Sequence, residues 1–127
     1  MVKDTTLYTI LKWGAATNDY GPPHFDYPFA TQVMGLPNVV AHGPINAALL
    51  AQLMTNWIGG EGVLKKHYAE MRGNVFPGDR ITFQGKVAKK YVQDGHNLVD
   101  CESWAENQTG RRVTLGRSTV TLPRRRR

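Results

Sequence analysis

The stretch NDYGPPHFD, residues 18–26, places Asp19 five positions before His24 with a glycine and two prolines between them. A carboxylate and an imidazole converging on one water can remove a proton from it and deliver a proton to a carbon, which is general acid and base chemistry. The spacer is short, bent and stiff. Pro22 and Pro23 each hold φ at about −65°, Pro22 turns Gly21 away from helical geometry, and Gly21 has access to angles closed to other residues. The same residues admit a plainer reading, in which Asp19 ends a helix or forms a turn and His24 is an ordinary loop side chain.

A second stretch, AHGPINAALL, bears on the choice. Gly43 lies where an apolar helix begins, and the unpaired N–H groups and dipole of a helix start present positive potential. An oxyanion would be stabilised there, and a glycine lets a carbonyl approach the main chain closely. Tight packing alone would also call for a glycine at this position. His42 reads as a packed, structural histidine rather than a catalytic one.

These residues need elements to hold them. Asp4 or Thr5 caps a helix through LYTILKWGAATN, whose Leu7, Ile10, Leu11 and Gly14 share a stripe at i, i+3, i+4 and i+7 and are expected on a core surface. Residues 18–42 form a segment punctuated by Pro and Gly, with a short helical turn at DYPFATQVMG, and it is too long to be an idle connection. PINAALLAQLMTNWIGG opens with Pro44 at a first-turn position and closes with Gly59 and Gly60. Apolar residues cover nearly every side of this helix, which predicts burial all round over residues 44–58. The remainder alternates with a period of two. ITFQGKV, HNLVDCESWAEN and RRVTLGRSTVTL read as strands, NQTG as a turn, and KHYAEMRGNV as a further strand before FPGD. An antiparallel meander drawn from residues 64–122 and packed on one long helix makes the class α+β.

Composition limits the alternatives. The net charge of +6 falls to about +2 once Arg124 to Arg127 are set aside, leaving 12 Lys and Arg against 10 Asp and Glu, so nucleic acid is not an expected partner. The four arginines after Pro123 read as a disordered basic tail, residues 124–127, beyond a single domain spanning 1–123. Cys101 is the only cysteine, which leaves no second thiol for a disulfide or a zinc site. MVKDTTLYTI lacks the apolar run of a signal peptide, and no segment has the length of a membrane span, so no membrane partner and a cytoplasmic location are expected.

Taken together, the two stretches resemble the MaoC-like hydratases and dehydratases, whose motif runs D-x-N-P-x-H and, after an apolar stretch, A-H-G-M at the head of a helix. Asp19, Pro22 and His24 match the first part, and Ala41, His42 and Gly43 the second. The likeness extends from Thr5 to Pro123 and includes FPGD at 76–79. Gly21 departs from the asparagine usual before the proline, Asn18 from a glycine, and Pro44 from a methionine. The resemblance implies a hot-dog fold, an antiparallel sheet wrapped round a long central helix, usually dimerised. It implies an active site near a subunit interface, with Asp19 and His24 as catalytic pair and the Gly43 N–H as oxyanion donor. The implied reaction is reversible hydration of a trans-2-enoyl-CoA to an (R)-3-hydroxyacyl-CoA, with no metal or organic cofactor. Two alternatives stay open: a dehydratase subunit acting on acyl carrier protein substrates in fatty-acid elongation, and a non-catalytic hot-dog subunit of a hetero-oligomer.

Overall fold

The computed structural model describes residues 1–124. Of the arginine tail expected at 124–127, residues 125–127 lie outside the described ones. Strand β1 (Val2–Asp4) leads into helix α1 (Leu7–Thr17), the short helix α2 (Pro22–Phe25), a π-helical turn (Phe29–Val33) and the long helix α3 (Gly43–Ile58). Strands β2 (Val63–Met71), β3 (Arg80–Gln93), β4 (His96–Glu106) and β5 (Arg112–Thr121) complete the chain. The five strands form one antiparallel sheet in the order β1-β3-β4-β5-β2.

That order corrects the expected meander. Only β3, β4 and β5 are joined as successive neighbours; β2 pairs with β5, leaving β2 and β3 well apart. β1, too short to show alternation, was not expected at all, and β3 runs on past ITFQGKV to Gln93 through a register shift between Val87 and Lys89.

Helix α3 seats on the sheet because one row across it is small. Gly85, Ser103, Gly116 and Ala69 are register partners on β3, β4, β5 and β2. A Cβ added at Gly85 would lie 3.2 Å from Met54 Cε, and one at Gly116 would lie 3.2 Å from Leu50 Cδ1 and collide with Ser103 Oγ. The row is therefore a trough that brings the helix close enough for Leu50 to pack with Val75, Ile81, Phe83, Ala105 and Val113. Met54 and Ile58 continue the seam against Val99, Cys101 and Val120. The opposite face of the sheet carries charge, as in the Lys86–Glu102 pair at 3.3 Å and the Arg117 guanidinium over Tyr68.

Burial of α3 is narrower than its composition predicts. Ile45, Asn46, Leu50, Met54 and Ile58 form the buried stripe, while Ala48 and Trp57 face solvent in the single chain. Helix α1 departs in the same way: Ile10 and Gly14 are buried, whereas Leu7 and Leu11 are about half exposed. Its cap is neither Asp4 nor Thr5 but Thr6, whose hydroxyl accepts from the Thr9 N–H at 3.1 Å in a capping box completed by Thr9. Thr5 is instead tied to FPGD: its N–H donates to Asp79 O and its carbonyl accepts from Gly78 N–H, both at 2.8 Å. Pro77 followed by Gly78 at φ +98° gives FPGD the geometry of a type II turn.

Candidate active site

Helix α1 ends next to the first candidate site residue, Asp19. Asn18 takes the left-handed conformation, φ 55° and ψ 35°, and the Asp19 N–H donates to Gly14 O at 3.0 Å. Asparagine tolerates that region, which accounts for Asn18 standing where the resembled motif has glycine. Gly14 is needed for a second reason: a Cβ there would fall 2.5 Å from Phe25 Cζ and 3.0 Å from Asp19 O. The end of α1 and the start of the next segment are thus locked in contact.

The proline spacer folds as α2 rather than as an irregular bend. Gly21 is its N-cap, at φ −54° and ψ 139°, and Pro22 and Pro23 occupy the first turn, where an N–H would have no partner. Asp19 Oδ1 accepts from the Gly21 N–H at 3.2 Å, which turns the carboxylate back over the spacer. A Cβ at Gly21 would lie 3.4 Å from both Asp19 Oδ1 and His24 Cδ2, so the glycine leaves open the space between acid and imidazole.

His24 is fixed from its other side by residues 39–41. The Val40 N–H donates to Pro23 O at 3.0 Å, and His24 Nδ1 lies 2.6 Å from Val40 O. A carbonyl only accepts, so Nδ1 carries the proton and Nε2 of the neutral ring is left as an acceptor. The ring of His42 stacks on that of His24, with centroids 3.7 Å apart and planes 21° from parallel. His42 Nε2 donates to Asp19 O at 3.0 Å and stands 3.9 Å from Asp19 Oδ2.

One nitrogen or oxygen from each of Asp19, His24 and His42 lies within 4.8 Å of the other two. Stacked imidazoles with centroids 3.7 Å apart keep their lone pairs in two nearly parallel planes, so one ion bound by both rings would lie out of plane unless the stack opened. What the cluster offers chemically is a pair able to exchange a proton with water: an acid half exposed to solvent beside an imidazole whose tautomer is set by a carbonyl. Gly43 follows His42 as the first residue of α3. Its N–H is one that the helix cannot satisfy, and Pro44 removes the next. A Cβ at Gly43 would lie 2.9 Å from Met71 Cγ.

Sequence spacing finds Asp19 and His24, and the structure brings them together. It also brings in His42, which the sequence presents as a packing residue; its place in AHG immediately before Gly43 was the available signal. Cys101 takes no part. It lines an apolar cavity of about 250 Å³ with Leu53, Met54, Trp57 and Val87, and burial, with a smaller contribution from Asp100, pushes its thiol pKa up. At ~1.5 Å per residue that cavity lies some 15–21 Å along α3 from Gly43.

A family model described as a MaoC like domain matches residues 3–108. Among solved structures, the (R)-hydratase from A. caviae involved in PHA biosynthesis is 21% identical, with a TM-score of 0.84 over 97% of this chain and 92% of that one. R-hydratase PhaJ1 from Pseudomonas aeruginosa is 20% identical, with a TM-score of 0.86 over 98% and 79%. The HadBC 3R-hydroxyacyl-ACP dehydratase complex from Mycobacterium tuberculosis is 16% identical, with a TM-score of 0.71 over 94% and 90%. A search of curated proteins found no match. The hot-dog fold is the one these structures share with this chain, and no helix among its described residues is long and apolar enough to cross a membrane.

Proposed function

The chain belongs to the MaoC-like dehydratase family, and on that premise we propose that it hydrates trans-2-enoyl thioesters reversibly to (R)-3-hydroxyacyl thioesters, with coenzyme A as the thiol carrier. The observation that carries the reading is the convergence of the Asp19 carboxylate and His24 beside the start of α3. The Gly43 N–H donates to the thioester carbonyl and stabilises the enolate-like charge that develops as water adds at C3. Asp19 takes a proton from that water. His24 Nε2, left as an acceptor by the bond from Nδ1–H to Val40 O, accepts a hydrogen bond from the water, and the proton taken up by Asp19 is the one that passes through the pair to C2. The hydroxyl of one water thus ends on C3 and its proton on C2. The two groups are treated as a coupled pair, with proton ownership shared between them.

The A. caviae and P. aeruginosa neighbours, both named as (R)-hydratases, support the hydration direction, and the HadBC complex keeps an acyl carrier protein substrate as the alternative. A second subunit completes the site in this reading. Asp19 is open to solvent in the single chain, and Tyr20, Tyr27, Val33 and Met34 of the same segment are half or more exposed. The partner is a second copy or another hot-dog subunit, and the location is cytoplasmic.

Steady-state hydration of crotonyl-CoA tests the chemistry. Asp19→Asn and His24→Gln each lower kcat/KM by at least ~10²-fold while circular dichroism stays that of the wild type. The double variant is little worse than the worse single one, because residues that act as a unit do not contribute additively. Near-wild-type rates in both folded single variants sink the assignment. Light scattering tests the assembly: an active, monodisperse monomer at micromolar concentration contradicts it.

A further inference from the structure

Three parts of the site come from three elements: Asp19 from the end of α1, His24 from α2 and Gly43 from the start of α3. His42 touches the first two and is bonded to the third. It is the N-cap residue of α3, yet its side chain caps nothing in that helix. Only 3% of it is exposed.

Packing alone does not account for a histidine there. The Nε2–H is used on the carbonyl of Asp19, which leaves Nδ1 as a lone-pair nitrogen that is buried and has no hydrogen-bond partner among the described residues. A buried acceptor without a partner destabilises the fold. An apolar ring would fill the same volume against His24 and Phe25 without that penalty. What histidine adds is one N–H aimed at the main chain of the catalytic acid, on a ring flat enough to set the plane of the catalytic imidazole.

We propose that His42 is a positioning residue for the hydration reaction, in the neutral tautomer with Nε2–H bonded to Asp19 O and the ring stacked on His24, so that one side chain fixes acid and imidazole relative to each other and to Gly43. The proposal rests on the Asp19/His24 reading above. Its basis is geometric: the Asp19 carboxylate is held by one bond from the Gly21 N–H and the His24 ring by one bond to Val40 O, and neither bond ties the two groups to each other. His42 does tie them, through the main chain that carries the acid and the plane of the imidazole, and a misplacement of about 1 Å in such a pair is worth on the order of 10²-fold in rate.

Two variants separate the ring from the donor. His42→Phe keeps a stacking ring and drops the N–H; His42→Gln places an amide N–H near the position of Nε2 without the ring. With the protein in its native assembly, His42→Phe lowers kcat for crotonyl-CoA by ~10- to 100-fold, leaves KM within about threefold and leaves the melting temperature at or above that of the wild type. His42→Gln restores the donor but not the stack, so its kcat lies between those of His42→Phe and the wild type. A folded His42→Phe enzyme with wild-type kcat overturns the proposal, as does a His42→Gln enzyme no better than His42→Phe. If neither variant folds, imidazole ¹⁵N shifts of the wild-type protein decide: protonated Nε2 and bare Nδ1 at His42 support it, and the reverse tautomer overturns it. The two readings fail separately. Active Asp19→Asn and His24→Gln enzymes defeat the acid–base pair, whereas an unimpaired His42→Phe beside two inactive ones defeats only the positioning role.

Discussion

Residues 18–42 and residues 43–121 are built on different principles. The second region is regular: α3 lies in a trough of small side chains, and its apolar seam continues over two buried clusters. The first packs only a small apolar cluster, Ala30 and Val39 with Ile10 of α1, and adds to it single bonds between unlike groups, such as Asp19 N–H on Gly14 O, His24 Nδ1–H on Val40 O and His42 Nε2–H on Asp19 O. Burying apolar area tolerates small shifts, because the free energy is spread over many weak contacts. Directional bonds do not. Asp19 and His24, the proposed acid and imidazole, therefore lie on the part of the chain whose geometry is set largely bond by bond, and the larger share of the apolar burial lies in the other.

That division is testable from either side. The largest expected change is in the trough. Leu50 is wholly buried and packs over Gly116, so Leu50→Ala removes transfer energy and leaves a cavity, a loss of about 2–5 kcal/mol. Urea unfolding measures it. In the protein that remains folded, kcat for crotonyl-CoA stays within about threefold of the wild type, because the bonds around Asp19 and His24 are untouched. A large drop in kcat with a small drop in stability would show that the trough sets the site directly and would erase the contrast.

Gly14→Ala attacks the joint between the regions. In a helix interior, alanine is favoured over glycine by about 1 kcal/mol, but here the new methyl meets the ring of Phe25 at 2.5 Å. Overpacking of that kind costs about 1–3 kcal/mol, so the net change is a destabilisation of up to roughly 2 kcal/mol. The functional change is larger than the thermodynamic one suggests. Phe25 follows His24 in α2, and Asp19 O is the other atom within reach of the methyl, so kcat/KM falls about tenfold as the pair is displaced. A more stable, fully active Gly14→Ala protein would mean that Phe25 swings aside freely and that the joint is soft.

How much of this was legible follows the same boundary. The α3 seam and the strands β4 and β5 were readable because apolar periodicity records which side chains a regular element buries. The far half of β3 was not, since the shift between Val87 and Lys89 breaks the period that identifies a strand. Nor was the pairing of β2 with β5, a non-local choice that alternation does not encode. Apolar coverage of α3 and the Leu7–Leu11 stripe overstated burial: Ala48, Trp57, Leu7 and Leu11 stand open in one chain, and periodicity cannot distinguish a face covered by the same chain from one left for another. In the site, Asp19 and His24 could be picked out because prolines leave a strong local signature. His42 carries its meaning in a stack and one bond across 23 residues, neither of which has a sequence period.

The smallest expected effect sharpens the contrast most, because it acts within one element that serves both regions. Thr6 caps α1 at the end remote from Asp19, and its hydroxyl satisfies the Thr9 N–H. Replacing such a cap by alanine costs about 1 kcal/mol. At ~1.5 Å per residue the eleven residues of α1 put that loss some 16 Å from the Asn18 end, where Asp19 N–H is held by Gly14 O and where Gly14 itself is pinned under Phe25. Fraying of the first turn therefore stops short of the site. Thr6→Ala is expected to lower the unfolding free energy by that amount while kcat and KM for crotonyl-CoA stay within twofold of the wild type. Chemical denaturation and steady-state kinetics on the same preparation give both numbers. A parallel fall in kcat would show that α1 moves as a rigid rod and transmits its first turn to Asp19; the positions of acid and imidazole would then depend on whole-element stability, and the bond-by-bond account of residues 18–42 would fail.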